Sequence, residues 1–190
     1  MYGLINKAVR GLVTQVAGEE AWSRIRHEAG VEDDDFISLE GYDDAVTYRL
    51  VEAASKELGI PPEEVLAAFG KYWVEYTAVE GYGELMNTAG STFPEFLSNL
   101  DQLHSRVKLT FPNLIPPRFS VTDESEGRLI LHYFSEREGL APLVIGLLQG
   151  LGARFGQDVK AEQFRTGEGE AEHDAFRVEY SPTQVENNAT

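Results

Sequence analysis

The chain has 190 residues, 42% of them hydrophobic, enough for one packed core and consistent with a single domain. It contains no cysteine, which excludes disulfides, thiolate metal sites, iron–sulfur clusters, thiol nucleophiles and any cofactor tethered through cysteine. With 32 acidic against 16 basic residues its formal charge is −16, which repels a phosphate backbone and argues against nucleic acid as a partner.

The first residues, Met1-Tyr2-Gly3-Leu4-Ile5-Asn6-Lys7, lack the basic stretch and apolar run of a secretory signal, so a cytoplasmic protein is expected. Apolar residues three and four apart predict helices over Leu4–Val16, Val46–Leu58, Val65–Val74 and Phe96–Val107. Gly30 ends one helical segment. Gly59-Ile60-Pro61-Pro62 ends another and opens the next, with Glu63 and Glu64 in its first turn. Thr92-Phe93-Pro94-Glu95 has the form of a capping box before the fourth helix. From Arg118 the pattern becomes short alternating runs, Arg118–Val121, Arg128–Phe134, Gln157–Gln163 and Ala175–Tyr180, around one apolar helix, Leu140–Phe155. The apolar part of that helix, Leu140 to Gly152, is interrupted by Pro142 and Gln149 and is shorter than the roughly 20 residues that cross a bilayer, so no membrane insertion is expected. Helices first and strands later predict an α+β fold, a helical layer followed by an antiparallel sheet. The domain is expected to end near residue 180, with a disordered polar tail over 181–190. Asn188-Ala189-Thr190 matches a glycosylation sequon by chance.

Four histidines are present. His27 and His173 lie in polar surroundings and read as solvated; His132 alternates with Ile130 and Phe134 and reads as a strand histidine. His104 differs. Leu97, Leu100 and Val107 lie seven and four residues before it and three after, which sets its imidazole on the apolar stripe of a helix. A buried imidazole needs a partner for each nitrogen: a metal and one hydrogen bond satisfy it, and so do two hydrogen bonds in an ordinary core. Spacing alone leaves both open. A hydrolase using His104 or His132 with Asp101 as orienting group lacks a nucleophile in a recognisable elbow.

Tyr133, Ser135 and Arg137 follow Leu129 and Leu131 at alternate positions, which predicts five side chains on one face of one strand. A phenol, a hydroxyl and a guanidinium spread over about 13 Å suit a flat apolar ligand with two carboxylates, such as protoporphyrin, Arg137 supplying the bidentate bond. A mixed polar strand end fits the same residues.

The run from Leu129 to Leu140 contains Tyr-x-Ser-x-Arg, and with it occur Met1-Tyr2-Gly3, Phe69-Gly70-Lys71-Tyr72, Asn99-Leu100-Asp101-x-Leu103-His104 and Pro116-Pro117. Together and in this order these resemble the haem-nitric oxide/oxygen binding (H-NOX) family, in particular bacterial and cyanobacterial members, and the haem domain of the soluble guanylate cyclase beta subunit. The resemblance implies non-covalent haem b between the two halves and His104 as proximal iron ligand. It also implies a propionate clamp of Tyr133, Ser135 and Arg137, Pro117 pressing on the porphyrin, and Ile5 and Trp73 on the distal side. Tyr2 and Leu100 complete the expected cofactor contacts. Oxygen-binding members carry a distal tyrosine where this chain has Pro142, and Leu140–Gly152 contains no tyrosine. The implied function is therefore sensing of NO and CO without a stable O₂ complex, with Trp73 as the residue that could reverse this by donating to bound O₂. No kinase or cyclase motif is recognisable. Signalling is expected to pass to a separate histidine kinase or cyclic-di-GMP enzyme. A haem-free adaptor is the remaining alternative.

Overall fold

A computed structural model describes residues 1–32 and 35–184. Helix α1 spans Gly3–Glu28 and breaks at Gly18, whose φ of 85° ends the arm expected over Leu4–Val16; the second arm buries Ala21, Trp22 and Ile25. Helix α2, Asp44–Leu58, starts where the Asp43 carboxylate accepts from the Ala45 N–H and stops at left-handed Gly59. Helix α3, Pro62–Thr77, begins with proline in its first turn and runs into a π-helical turn, Ala78–Tyr82, and the short α4, Gly83–Asn87. The helix expected over Phe96–Val107 is two: α5, Phe93–Ser98, and α6, Leu100–Thr110, divided at Asn99. Asn99 donates its side-chain amide to the Ala89 carbonyl, which anchors the division. The box before α5 also differs in detail. Thr92 accepts from the Glu95 N–H, but Glu95 reaches back to Ser91 rather than to Thr92.

The remaining elements are β1 (Arg118–Ser125), β2 (Arg128–Phe134), α7 (Ala141–Arg154), β3 (Gln157–Thr166) and β4 (His173–Pro182). All neighbours pair antiparallel in the order β1-β2-β4-β3. Ser181 and Pro182, expected in the tail, instead continue β4 opposite Asp158 and Gln157, and the Thr183 N–H donates to Gly156. The rest of the expected tail, 185–190, with the sequon, lies outside the described residues.

Two apolar clusters form the core. One joins α1, α2 and α3 through Val9, Trp22, Leu50, Phe69 and neighbours; the other joins α5, α6, α7 and the sheet through Phe96, Leu97, Leu131, Leu148 and Phe176. They meet along α3 and α7, whose backbones touch. A Cβ at Gly70 would lie 2.3 Å from the Leu143 carbonyl oxygen, and one at Gly146 would lie 2.0 Å from that of Ala67. Only glycine at both positions permits this approach, which explains the Gly in Phe69-Gly70-Lys71-Tyr72. No helix among the described residues is long and apolar enough to cross a membrane.

Candidate cofactor site

His104 lies one turn after buried Leu100 on α6, its ring half-buried. Its Nδ1 stands 3.2 Å from the Pro117 carbonyl oxygen. A carbonyl can only accept, so Nδ1 carries the proton and Nε2 presents a lone pair, with no hydrogen-bond partner among the described residues. Burial pushes the imidazole below the usual histidine range, against the opposing pull of the Pro117 carbonyl and Asp101, and so favours the neutral form. Asp101 does not orient the ring: it accepts from the Phe119 N–H at 2.7 Å. The arrangement a hydrolase needs, a carboxylate holding His104, is replaced by a carbonyl.

From His104 a continuous row of contacts leads to the polar triplet. The His104 ring lies 5.8 Å from that of Phe119, and Phe119 lies 5.3 Å from Tyr133. Tyr133 is buried on the inner face of β2 with its hydroxyl against Ser135, and burial raises its pKa. Here the structure corrects the expectation of one strand. β2 ends at Phe134 because β1, its neighbour, begins at Arg118 opposite that residue, and Ser135 and Arg137 lie in the loop that follows. The Ser135 hydroxyl accepts from the Arg137 N–H at 3.0 Å, holding the loop turned.

Arg137 closes the row. Its Nε donates to Asp44 at 2.7 Å and its Nη1 to the Ile115 carbonyl at 3.0 Å. Burial works to raise the Asp44 pKa, but its bonds to the Met1 amino group and Arg137 outweigh that and leave the carboxyl lowered. Tyr48 on α2 adds a bond to the Glu138 carbonyl. The loop 111–117 is thus gripped from three sides, by His104 at Pro117, Arg137 at Ile115, and Tyr2, whose hydroxyl accepts from Asn113 N–H and whose ring meets Phe111.

His104, Pro117, Tyr133, Ser135 and Arg137 are therefore brought together, with Leu100 beneath them and Tyr2 at the loop. Ile5 and Trp73 pack against the helical cluster, as does Leu143. Trp73 stacks near Tyr76, and the Tyr72 hydroxyl lies against Gly11 of α1. Sequence reading missed Asp44, Tyr48 and Phe119. Asp44 reads only as an acid in a helix's first turn; its partner is 93 positions away, and no local signal announces it. Phe119 was within reach, since alternation along β1 places it on the same face as Val121.

The site could accept a flat apolar group with acidic ends. Partly buried apolar side chains pack on both core clusters, Ile5, Trp73 and Leu143 on one and Leu103 and Phe119 on the other. Of the five guanidinium N–H donors of Arg137, three remain beyond those used. A neutral imidazole with a lone pair, a guanidinium and two hydroxyls suit an iron porphyrin bearing carboxylates. Two open clefts elsewhere, near Ser23–Glu32 and between α7 and the β3–β4 edge, include none of these residues.

A helical lobe and a helix-backed sheet, joined at a glycine crossing and facing one another across a histidine and a polar clamp, define an α+β sensor-type domain. The chain belongs to the haem-NO-binding (H-NOX) family, whose profile matches residues 2–163, a family of haem-based gas sensor domains related to soluble guanylate cyclase. It is 33% identical over 197 residues to soluble guanylate cyclase gcy-35 of Caenorhabditis elegans, covering 98% of this chain and 28% of that protein. It is also 33% identical over 124 residues to the guanylate cyclase soluble subunit beta-2 of Rattus norvegicus, covering 61% of this chain and 18% of that protein. The chain thus spans less than a third of either relative. The H-NOX protein from S. oneidensis, solved in the Fe(II)NO state, shares the fold with a TM-score of 0.84 at 20% identity, over 95% of this chain and 99% of that one.

Proposed function

We propose that this domain holds ferrous haem b through His104 Nε2 and senses NO and CO without forming a stable O₂ complex. The observation that carries the reading is the bond from His104 Nδ1 to the Pro117 carbonyl. It fixes the tautomer and orients the ring, as outer partners do for metal-bound histidines. Arg137, Tyr133 and Ser135 neutralise and position the propionates, Tyr2 and Leu100 support the proximal side, and Ile5, Trp73 and Leu143 offer apolar contacts. Bound there, the haem would supply an iron able to take up a diatomic gas.

The remaining steps belong to the protein. A change in the load on His104 passes to α6 and, through the Pro117 carbonyl, to loop 111–117. That loop is tied to Arg137, and Arg137 to Asp44 at the start of α2. This row of contacts therefore connects His104 to the contact between lobes, the element that ligand binding would bias. We place the output in a separate cytoplasmic protein, a histidine kinase or cyclic-di-GMP enzyme, by family analogy.

Selectivity follows from Pro142, in the first turn of α7, and from the lack of tyrosine between Ala141 and Gly152. Without a donor there, bound O₂ is not held, whereas NO needs none. One observation favours an O₂-binding reading instead: the half-buried Trp73 indole N–H has no hydrogen-bond partner among the described residues. Absorption spectra of the reduced protein decide. A five-coordinate ferrous spectrum, shifted by NO and CO and leaving no persistent oxy form in air, is expected; a persistent oxy spectrum overturns NO selectivity.

A further inference from the structure

The outer face of the sheet, turned away from Tyr133, carries a hydrogen-bonded pair of histidines that the cofactor does not use. His132 Nδ1 and His173 Nε2 are 2.9 Å apart, although the two residues are 41 positions distant in sequence. The expectation that His173 is merely solvated is corrected here: its ring also stacks on Phe134, 4.1 Å between centroids. His173 Nδ1 lies 2.8 Å from the Ala171 carbonyl, which can only accept, so in the neutral pair His173 carries its proton there and offers a lone pair at Nε2. His132 must then donate from Nδ1, and its Nε2 accepts from the Thr122 hydroxyl at 2.9 Å.

Beside the pair the β1–β2 register shifts between Thr122 and Ser125. Within that bulge lies Asp123, the one non-glycine residue with positive φ among the described residues, at 49°. Burial and the neighbouring His173 hold the His132 imidazole below the usual histidine range, against the opposing pull of the Asp123 carboxylate.

We infer that His132 and His173 form a surface site for a borderline divalent cation of the zinc class, which bridges their two nitrogens in place of the proton that now links them. Two metal–nitrogen bonds of about 2.0–2.1 Å at a tetrahedral angle separate their nitrogens by roughly 3.3 Å and set the ion off the line between them, so the pair opens by a few tenths of an ångström and each ring tilts by roughly 35° to aim its lone pair at the ion. His132 changes tautomer as the metal enters. Its proton leaves Nδ1, a proton occupies Nε2, and the Thr122 hydroxyl accepts where it had donated; no net proton is lost. Each ring then keeps one outer partner, His173 on the Ala171 carbonyl and His132 on Thr122, the arrangement metal-binding histidines need. No third ligating side chain completes a cluster among the described residues, so water fills the remaining positions and Asp123 offsets the added charge. The ion would pin β2 to β4 one residue from Tyr133, giving the clamp strand a second input.

The test is calorimetric titration of zinc chloride into the untagged, haem-loaded chain. One equivalent should bind, and His173→Gln should weaken binding at least tenfold. Thr122→Val should weaken it by about tenfold, as loss of an outer-shell partner does, while His27→Gln, on an exposed side chain, should change nothing. On the unmutated protein, long-range ¹⁵N–¹H imidazole spectra should show His132 moving from the Nδ1–H to the Nε2–H form at stoichiometric zinc. Equal affinity in wild type and His173→Gln overturns the site, and so does an unchanged His132 tautomer at one equivalent.

Discussion

Two of the contacts between the lobes of this domain are built from opposite materials. At the α3–α7 crossing, Gly70 and Gly146 bring backbone onto backbone with no space for a single added carbon. At the loop 111–117 the junction is made of side chains and carbonyls: His104 on Pro117, Arg137 on Ile115 and Asp44. A close-packed crossing has one arrangement, whereas polar side chains can exchange partners at modest cost. The first therefore behaves as a fixed axle and the second as the latch, and variants at each should produce different defects.

The largest effect is expected at the latch's metal end. His104→Gly should leave a folded protein that loses haem, or takes it up only with added imidazole, because no cysteine offers another tether. Haem content and absorption spectrum measure this, and an unchanged spectrum would remove His104 from the site.

At the axle the defect should be one of stability. Gly146→Val adds a Cβ that would lie 2.0 Å from the Ala67 carbonyl oxygen, with two methyl groups beyond it, and overpacking of this kind costs at least about 1–3 kcal/mol. Urea denaturation of the apo form should show a lower midpoint, with any haem retained showing an unaltered spectrum. A spectrum changed as much as the midpoint would mean that the crossing is part of the switch.

The contrast was only half legible in the sequence. Periodicity located α2, α3 and β2 because each buries one consistent face. It extended the triplet along a strand that stops at Phe134, since side-chain alternation does not reveal where the neighbouring strand begins. It joined α5 to α6 because Asn99, with φ −100° and ψ 6°, interrupts the backbone without interrupting the apolar spacing. His104 and Arg137 were readable as residues, but their partners, the Pro117 and Ile115 carbonyls and Asp44, were not. Carbonyls have no sequence signature, and Asp44 meets Arg137 only after folding. The glycine crossing could be seen in motif form, but its reason is a distance.

Within the clamp, Arg137→Ala should release haem to apomyoglobin faster than Ser135→Ala. The guanidinium offers a propionate charged, paired donors, while Ser135 offers one neutral hydroxyl that already accepts from the Arg137 N–H. Equal transfer rates would mean that Arg137 serves only the contact between lobes.

The smallest effect expected is at Asp44, and it is visible in pH rather than in any single measurement at neutrality. The folded-state pKa of Asp44 is lowered, since the Met1 amino group and Arg137 outweigh its burial. A carboxyl with a depressed folded pKa contributes stability that is fully present above its unfolded value, about 3.9, and is lost as pH falls through the folded value. Asp44→Asn should therefore lower stability slightly and evenly from about pH 5 to 7, and the difference from wild type should shrink as the pH falls below about 4. Its side chain is 35% exposed, so solvent screening keeps the effect small. If the latch also tunes the cofactor, the same variant should speed haem transfer less than Arg137→Ala does, because Arg137 keeps its bond to Ile115. A difference in stability that stays constant down to pH 3 would show that Asp44 acts through its shape and not its charge, and the ion pair would then have no part in holding the lobes together.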